Sequence, residues 1–510
     1  MSTGPELSLE GAAGRIMASP AVTRIRTALS HATTSEAPDR GTAGGGADGG
    51  ADGAAARGAA AWVVGGAVRD AALGLEIGDI DLAVPGDPQP VARQIAVALG
   101  GYSFELSAEF PTWRAADREG TWQVDVAMLR GPGIAEDLAL RDFTVGAMAV
   151  DLETGTALDP TGGLSDLEAD TIRAVGPTSF SDDPLRLMRA ARLAAQFGWQ
   201  IAPDTLELGR SSAVRSQEPA GERTLSELCQ LMASRDPVAG LAAMEGLGLF
   251  DTLLPEVGEM RGVVQGPNHH LDVYGHTVEV LEGVLRIESE LERFVGDHAG
   301  DVAALLDEPL AGGVTRSTGL RLAALLHDCA KPATRKEADG FISFRGHDRE
   351  GAESVLGVFA RLKSSRRLAG YVADLTRNHL ILGFMVSERP LSRGQVFDYL
   401  RRTEPNSIDV TLLTVADRLA ARGTSSIAGQ EMVAGHLELA REMVGEALAW
   451  RRQGPPARFL RGDELADRIG IKPGPDLGRI LEELDRAVFC GEVGSASEAV
   501  DYARRLLDSA

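Results

Sequence analysis

The hydrophobic period of the chain changes once along its length, and that change restricts the folds open to it. From Trp62 to Val150, short β-like runs (WVV, DIDLAV, WQVDVAML, VGAMAVDL) alternate with helical stretches such as PVARQIAVALG, the pattern of an α/β unit. From Pro184 onward the spacing is helical almost throughout. The first of these helices, PLRLMRAARLAAQFG, opens on proline and closes on glycine, the usual asymmetry of a helix start and stop. The expectation is an α/β head with a small mixed sheet, followed by all-α segments. Ahead of the head, residues 41–60 (GTAGGGADGGADGAAARGAA) carry almost no bulky side chain and cannot bury enough surface to offset the entropy of ordering. Residues 1–60 are therefore expected to be a disordered leader.

At 510 residues the chain is too long for one core, and roughly three or four domains are expected. No apolar run approaches the ~20 residues of a membrane span, so no membrane partner is expected. Cys229, Cys329 and Cys490 are too scattered for a disulfide framework, and a reducing cytoplasm suits them. The net charge of −23 argues against a protein that coats nucleic acid, because phosphate neutralisation needs a basic excess. An RNA partner is compatible only if metals and local arginine clusters face it, with modest, salt-sensitive affinity. Nothing in the sequence calls for an obligatory protein partner.

The run WVVGGAVRDAALG ends a strand on Gly65 and Gly66 and starts a helix carrying Arg69 and Asp70; paired glycines let backbone N–H groups approach a phosphate. Asp79 and Asp81 stand two apart in DIDLAV, so the strand period directs both carboxylates to one face. Such a pair suits two Mg²⁺ ions that serve a nucleotidyl transfer. Asp125, in WQVDVAML, is the candidate third carboxylate. Taken alone, an Asp-x-Asp in so acidic a chain is more often a solvated surface pair.

The joint pattern is more specific. GGAVRDAALG followed by DIDLAV resembles the first motif of class II CCA-adding enzymes and bacterial poly(A) polymerases. RDFTVGAMA resembles their second motif, DPTGGLSDLEADTIRAVG the stretch after it, and SDDPLRLMRAARL the segment that acts as a protein template for the incoming base. The resemblance runs in the family's order from about residue 62. It implies a nucleotidyltransferase head with Mg²⁺ held by Asp79 and Asp81, and phosphate or ribose contacts from Arg141 and Asp142. It also implies base reading by Asp182, Asp183 and Arg186, with Arg189 and Arg192 on the same nucleotide-binding helix. The implied partners are tRNA, CTP and ATP. An aspartate and an arginine one helical turn apart can match a base edge, although Asp183 and Arg186 can equally form a surface ion pair. Leu140, Gly146 and Asp182 depart from the arginine, asparagine and glutamate usual at those positions.

Downstream, NHHLDVYGHTVEVLEG places His276 on a helix, RLAALLHDCAKP gives His327 and Asp328, and TLLTVADRLAARG gives Asp417. Imidazole and carboxylate ligands from separate helices suit a divalent metal whose identity the sequence leaves open. The order resembles the HD-domain phosphohydrolases, and His347 and His379 would complete a second metal position. A retained but inactive HD scaffold is the alternative. Lys331 can contact a substrate phosphate or cap its helix. In the tail, LRGDELADRIGIKPGPDLGRILEEL ends one helix at Gly470 and starts another near Asp476; Lys472, Gly474 and Gly478 suit tRNA contact, or a plain helix pair packed on the body.

The expected organisation is a nucleotidyltransferase head at 61–177, a helical neck at 178–265 with the template, an all-α HD domain at 266–425 and a helical tail at 426–510. The expected function is addition of CMP and AMP to tRNA 3′ ends. A phosphohydrolase with a decayed head is the rival class, and a noncatalytic RNA-binding protein a weaker third. Only fifteen residues, VAMLRGPGIAEDLAL, separate Asp125 from Arg141, where family members that complete CCA usually carry a longer flexible loop. Addition of CC alone is therefore a serious alternative, because a short loop is a poor lever between two states of a site.

Overall fold

The computed structural model describes residues 7–30, 60–107, 110–266, 269–421 and 427–508. Two compact units make up the chain. The first is Met1–Pro219 with Ala242–Leu247, and the second is Ala220–Leu241 with Gly248–Ala510.

The first unit opens with helices α1 (Leu9–Ala18) and α2 (Pro20–Ser30) and continues through β1 (Trp62–Val64), α3 (Gly66–Ala72), β2 (Ile80–Val84) and α4 (Gln89–Leu99). Strands β3 (Tyr102–Ser107), β4 (Thr112–Ala116) and β5 (Gln123–Met128) follow, then α5 (Ile134–Ala139), β6 (Ala149–Asp151) and β7 (Ala157–Leu158). The sheet is seven-stranded in the order β3-β4-β5-β2-β1-β6-β7. Its β2–β5 pair is parallel and its other pairs antiparallel, so the mixed sheet is as expected. Alternation sorts the two faces. Ile80, Leu82, Val124 and Val126 are buried, and α4 lays Val91, Ala92, Ile95 and Ala96 against that side. Asp81 and Asp125 fall on the opposite face.

At residues 9–30 the leader departs from expectation. Residues 9–30 form α1 and α2, with Ala12, Ala13, Ile16, Val22, Ile25 and Ala28 buried. Ser8 caps α1 by accepting from the Gly11 amide, Arg15 donates to the Ala71 and Ala72 carbonyls, and Arg26 donates to that of Leu152. The Gly/Ala bias of residues 41–60 does not extend back to this segment, where apolar side chains recur every three or four residues and give it a face to bury. Residues 31–59 lie outside the described residues.

The connection from Asp125 to Arg141 is not a loop. It holds the end of β5, a turn, and α5, tied down by Asp137. The helix Arg186–Phe197 closes on Gly198 in the left-handed region (φ 74°), where glycine carries no Cβ penalty.

The second unit is helical apart from short two-stranded hairpins. Helices Val273–Ser289, Arg316–Leu326, Arg366–Asn378 and Ser407–Ala420 bury Val280, Leu325, Val372 and Leu413 in its core. Their ends carry the histidines and aspartates of interest. In the tail, Gly462–Ile469 ends on left-handed Gly470, and Pro475–Phe489 and Ala496–Asp508 follow. Leu465, Ile480, Leu484 and Ala503 form a core of their own there. Among the described residues, no helix is long and apolar enough to cross a membrane.

Candidate active site and metal cluster

The face of the head sheet opposite α4 carries a row of functional side chains. Asp81 on β2 pairs in register with Asp125 on β5, and Asp125 with Arg114 on β4. Arg114 donates Nε to Asp125 Oδ1 at 2.7 Å and Nη2 to Oδ2 at 2.8 Å, while Asp79, just ahead of β2, accepts from Gln123 Nε2 at 2.7 Å. Burial, with Asp125 and Asp79 beside it, pushes the Asp81 carboxyl up to about 6 against the opposing pull of Arg141 and Arg189. A carboxylate crowded in this way fits a divalent cation, which would relieve the repulsion.

Next to Asp81 the backbone of Gly65 turns with φ 72°, and a Cβ there would lie 3.2 Å from Arg141 Nη1 and 3.5 Å from Asp81 Oδ2. Only glycine keeps this approach open. Arg141 is aimed by Asp137, a buried carboxylate that accepts from its Nε and Nη2 at 3.2 and 3.1 Å and from the Arg130 amide and Nε at 3.1 and 3.2 Å. Burial would raise Asp137, but Arg141 and Arg130 hold it below the usual carboxylate range. Asp142 is likewise pushed up by burial and drawn down further by Arg189, whose Nε donates to it at 2.8 Å, to about 2. Arg69 pairs with Asp70 and lies over the Phe197 ring, 4.7 Å from its centroid.

The template segment leads into the helix Arg186–Phe197. Arg186 is buried and donates to the carbonyls of Leu140 (2.9 Å), Arg141 and Ser179 (both 3.2 Å). The Ser179 carbonyl also accepts from the Asp183 amide, so this guanidinium ties the turn at Ser179 to the segment at Leu140 and Arg141. Asp182 accepts from Thr178 Oγ1 and Asp183 from the Leu185 amide, and Arg192 donates to Gln196 Oε1. A Cβ at Gly146 would lie 3.4 Å from Asp142 Oδ1.

In the second unit, the six HD-type residues converge. His276 Nε2 lies 3.0 Å from Asp417 Oδ1 and 3.7 Å from Asp328 Oδ2, and His327 Nε2 lies 3.1 Å from Asp328 Oδ2. His347 and His379 place Nε2 3.3 and 3.8 Å from Asp328 Oδ1. Three of the four rings are oriented from behind. Nδ1 of His327, His347 and His379 meets the carbonyl of Ala324, Phe344 and Thr376 at 2.9, 2.7 and 2.6 Å, which turns each Nε2 toward the cluster, those of His347 and His379 lying 3.3 Å apart. His327 Nε2 and both Asp328 carboxylate oxygens are buried with no partner in hydrogen-bonding geometry. Two overlapping sets, His276-His327-Asp417 and His327-Asp328-His379, have the spacing to hold a metal ion. The buried carboxylate and imidazole atoms, a mixed N/O donor set, fit a divalent transition metal.

Burial favours neutral forms here, yet His327, Lys331 and His347 hold Asp328 well below the ordinary range, while burial and His327 push His379 down to about 4. Lys331 caps no helix end; its Nζ is 2.7 Å from Asp328 Oδ2 and donates to Gln265 Oε1 at 2.7 Å. A cleft of about 730 Å³ opens over the cluster between His347, His379, Asp417 and Lys331.

Four contributors escaped the sequence reading. Asp137 stands four residues before Arg141 and Arg114 two residues after Thr112 in a strand of period two, so both carried a positional signal. Gln265 and His269, which line the cleft, carried none.

Residues 61–173 match the poly A polymerase head domain, 198–260 the probable RNA and SrmB-binding site of polymerase A, and 273–422 the HD domain. The chain is 36% identical over 452 residues to the A-adding tRNA nucleotidyltransferase of Deinococcus radiodurans, covering 87% of this chain and 95% of the relative. It is 31% identical to the CC-adding tRNA nucleotidyltransferase of Thermus thermophilus, covering 86% and 92%. Identity to the multifunctional CCA protein of Neisseria gonorrhoeae is 32%, covering 67% and 80%. The Thermotoga maritima CCA-adding enzyme complexed with tRNA has a similar fold (TM-score 0.53, 22% identity, covering 88% and 91%), as does a CCA-adding enzyme in complex with ATP (TM-score 0.58, 22% identity, 88% and 91%). With its head and HD segments matched in order and 36% identity over 452 residues spanning nearly all of one such enzyme, the chain belongs to the tRNA nucleotidyltransferase family.

Proposed function

We propose that this enzyme adds nucleotides from CTP and ATP to tRNA 3′ ends, to complete or repair CCA without a nucleic-acid template. The observation that carries this is the row formed by Asp81, Asp125 and Arg114, with the Gly65 opening and Arg141 beside Asp81. In the reaction the tRNA 3′ oxygen attacks the α-phosphorus, the bond to the bridging oxygen breaks, and pyrophosphate leaves. Asp79 and Asp81 are the residues to hold Mg²⁺, with Asp125 beside them. When bound, the metal lowers the pKa of the attacking hydroxyl and neutralises phosphate charge. Arg141, kept on target by Asp137, binds the triphosphate next to the Gly65 opening. Asp182 and Asp183 offer acceptors to the incoming base, and Arg186 holds the turn on which they stand. Incubation with labelled CTP or ATP, Mg²⁺ and tRNA lacking its 3′ end tests the proposal; no incorporation with either nucleotide defeats it.

A second product range has its own support. The segment from Asp125 to Arg141 is strand, turn and helix held by Asp137, which leaves no flexible lever there. This favours addition of only part of CCA, either CC or the terminal A. Three substrates decide it: tRNA ending at the discriminator base, after C, and after CC, each given both nucleotides and sequenced. A clean CCA on the first refutes partial addition. CC on the first, or A added only to the third, supports it.

For the HD cluster, His276, His327, Asp328 and Asp417 are proposed as metal ligands, with His347 and His379 at a second position. When bound, such a metal supplies an activated water for phosphoester hydrolysis. The His327→Ala and Asp328→Ala variants are expected to lose at least about tenfold in divalent-metal affinity, read by equilibrium dialysis, and any metal-dependent phosphatase activity with it. Nucleotide addition should stay within about twofold of the parent. Unchanged metal content in both variants would show that the ligands are wrongly assigned.

A further inference from the structure

Aromatic residues are sparse in this chain, yet two of them sit in line with the carboxylate row. Phe104 on β3 pairs in register with Arg114, which extends the row Asp81, Asp125, Arg114 by one strand on the same face. Tyr102, two residues earlier, shares that face. The two rings are stacked, with centroids 5.8 Å apart and planes 20° from parallel. Both remain open, Tyr102 at 47% and Phe104 at 40% exposure, because β3 is the terminal strand of the sheet. Stacked rings so exposed on an edge strand are a liability unless something covers them.

We propose that Tyr102 and Phe104 form a stacking platform for the 3′-terminal bases of the acceptor tRNA. This rests on the nucleotidyl-transfer reading of the head. The direction of the row supports it. The Gly65 opening and Arg141 lie on the β1 side of Asp81, so the triphosphate and its departing pyrophosphate belong there. An in-line displacement brings its nucleophile from the side opposite the leaving group. Seen from the carboxylates, the opposite side is β4 and β3. Phe104 lies two strands beyond Asp125, about 10 Å at ordinary strand spacing, within reach of the last nucleotides of an RNA end. Stacking accepts C and A alike because every base offers a π-face, and this suits an end whose terminal base changes as it grows.

The test uses the full-length protein and its Tyr102→Ser, Phe104→Ser and double variants, with Tyr102→Phe and Phe104→Tyr as conservative controls. Two readouts are taken. In steady state, the double serine variant is expected to raise KM for tRNA at least about tenfold, with KM for CTP or ATP and kcat within about twofold, and the aromatic exchanges should restore the parent value. In binding, a tRNA carrying 2-aminopurine at its 3′ end should be quenched by the parent and by the aromatic exchanges, but not by the double variant. Quenching that survives in the double variant overturns the platform. A rise in nucleotide KM with tRNA KM unchanged overturns it by assigning the rings to the incoming nucleotide. A parent dimer that the serine variants dissociate, with quenching unchanged, overturns it by assigning them to a contact between copies. If the parent adds no nucleotide, the function reading falls, and the quenching still decides the platform because it needs no turnover.

Discussion

Replacing Asp81 by asparagine is expected to lower nucleotide addition at least about a thousandfold, equivalent to roughly 4 kcal/mol of transition-state stabilisation. The substitution is isosteric and removes one unit of charge from the proposed metal pair. Asp81 carries this effect because of its surroundings: it is flanked by Asp125 and Asp79, and burial pushes its carboxyl up to about 6. That crowding disfavours the ionised carboxylate in the fold itself, so its removal should not lower the melting temperature. Single-turnover incorporation of labelled CTP or ATP, with thermal unfolding in parallel, measures both. Incorporation at the parent rate by the variant would remove the basis of the head assignment. The Asp79→Asn variant is expected to follow the same course, with Gln123 losing the carboxylate it now donates to.

The largest stability effect is expected at Asp409. This carboxylate is fully buried and pairs with the guanidinium of Arg316, itself only 8% exposed on its side chain. Tyr371 donates its hydroxyl to Asp409 Oδ1 at 2.6 Å, and Arg316 also donates to Asn406 Oδ1 at 3.3 Å. Helices Arg316–Leu326, Arg366–Asn378 and Ser407–Ala420 meet in this network, and the same three helices lead to His327, His379 and Asp417. An Asp409→Ala change strands a buried cation and should cost about 3–5 kcal/mol in urea denaturation. Because the unit would loosen where its metal ligands converge, divalent-metal affinity should fall with it. A joint Arg316→Met and Asp409→Leu replacement should recover much of the stability, since it removes both charges together. A single Asp409→Ala variant within about 0.5 kcal/mol of the parent would show that the pair contributes little.

The two candidate sites were legible to different depths. Asp79, Asp81 and Asp125 could be read because a strand alternates, and a charged residue between buried Ile80 and Leu82, or between Val124 and Val126, must face outward. The HD residues could be read by their order along the chain. Their orientation could not, since it depends on carbonyls of Ala324 and Thr376 near helix C-termini and of Phe344 in the turn before another helix. Arg186 is similar: its motif suggested base reading, and its contacts with the carbonyls of Leu140 and Arg141 depend on a turn distant in sequence. The helices at residues 9–30 were missed because a composition argument drawn from residues 41–60 was extended across the whole leader.

The sequence by itself determined what depends on local period and on motif order: a mixed-sheet head, a helical remainder, the outward carboxylates, and a tail helix that ends at Gly470. Only the tertiary structure decided which distant residues share a line. Phe104, Arg114, Asp125 and Asp81 stand on four strands whose order in the sheet, β3-β4-β5-β2, does not follow the chain. Strand pairing brings such residues within one strand spacing of each other, about 4.8 Å, however far apart they lie in sequence. The convergence of His276 with Asp417 across 141 positions has the same origin. Local preference sets where a side chain points along its own element, and packing sets what it meets there.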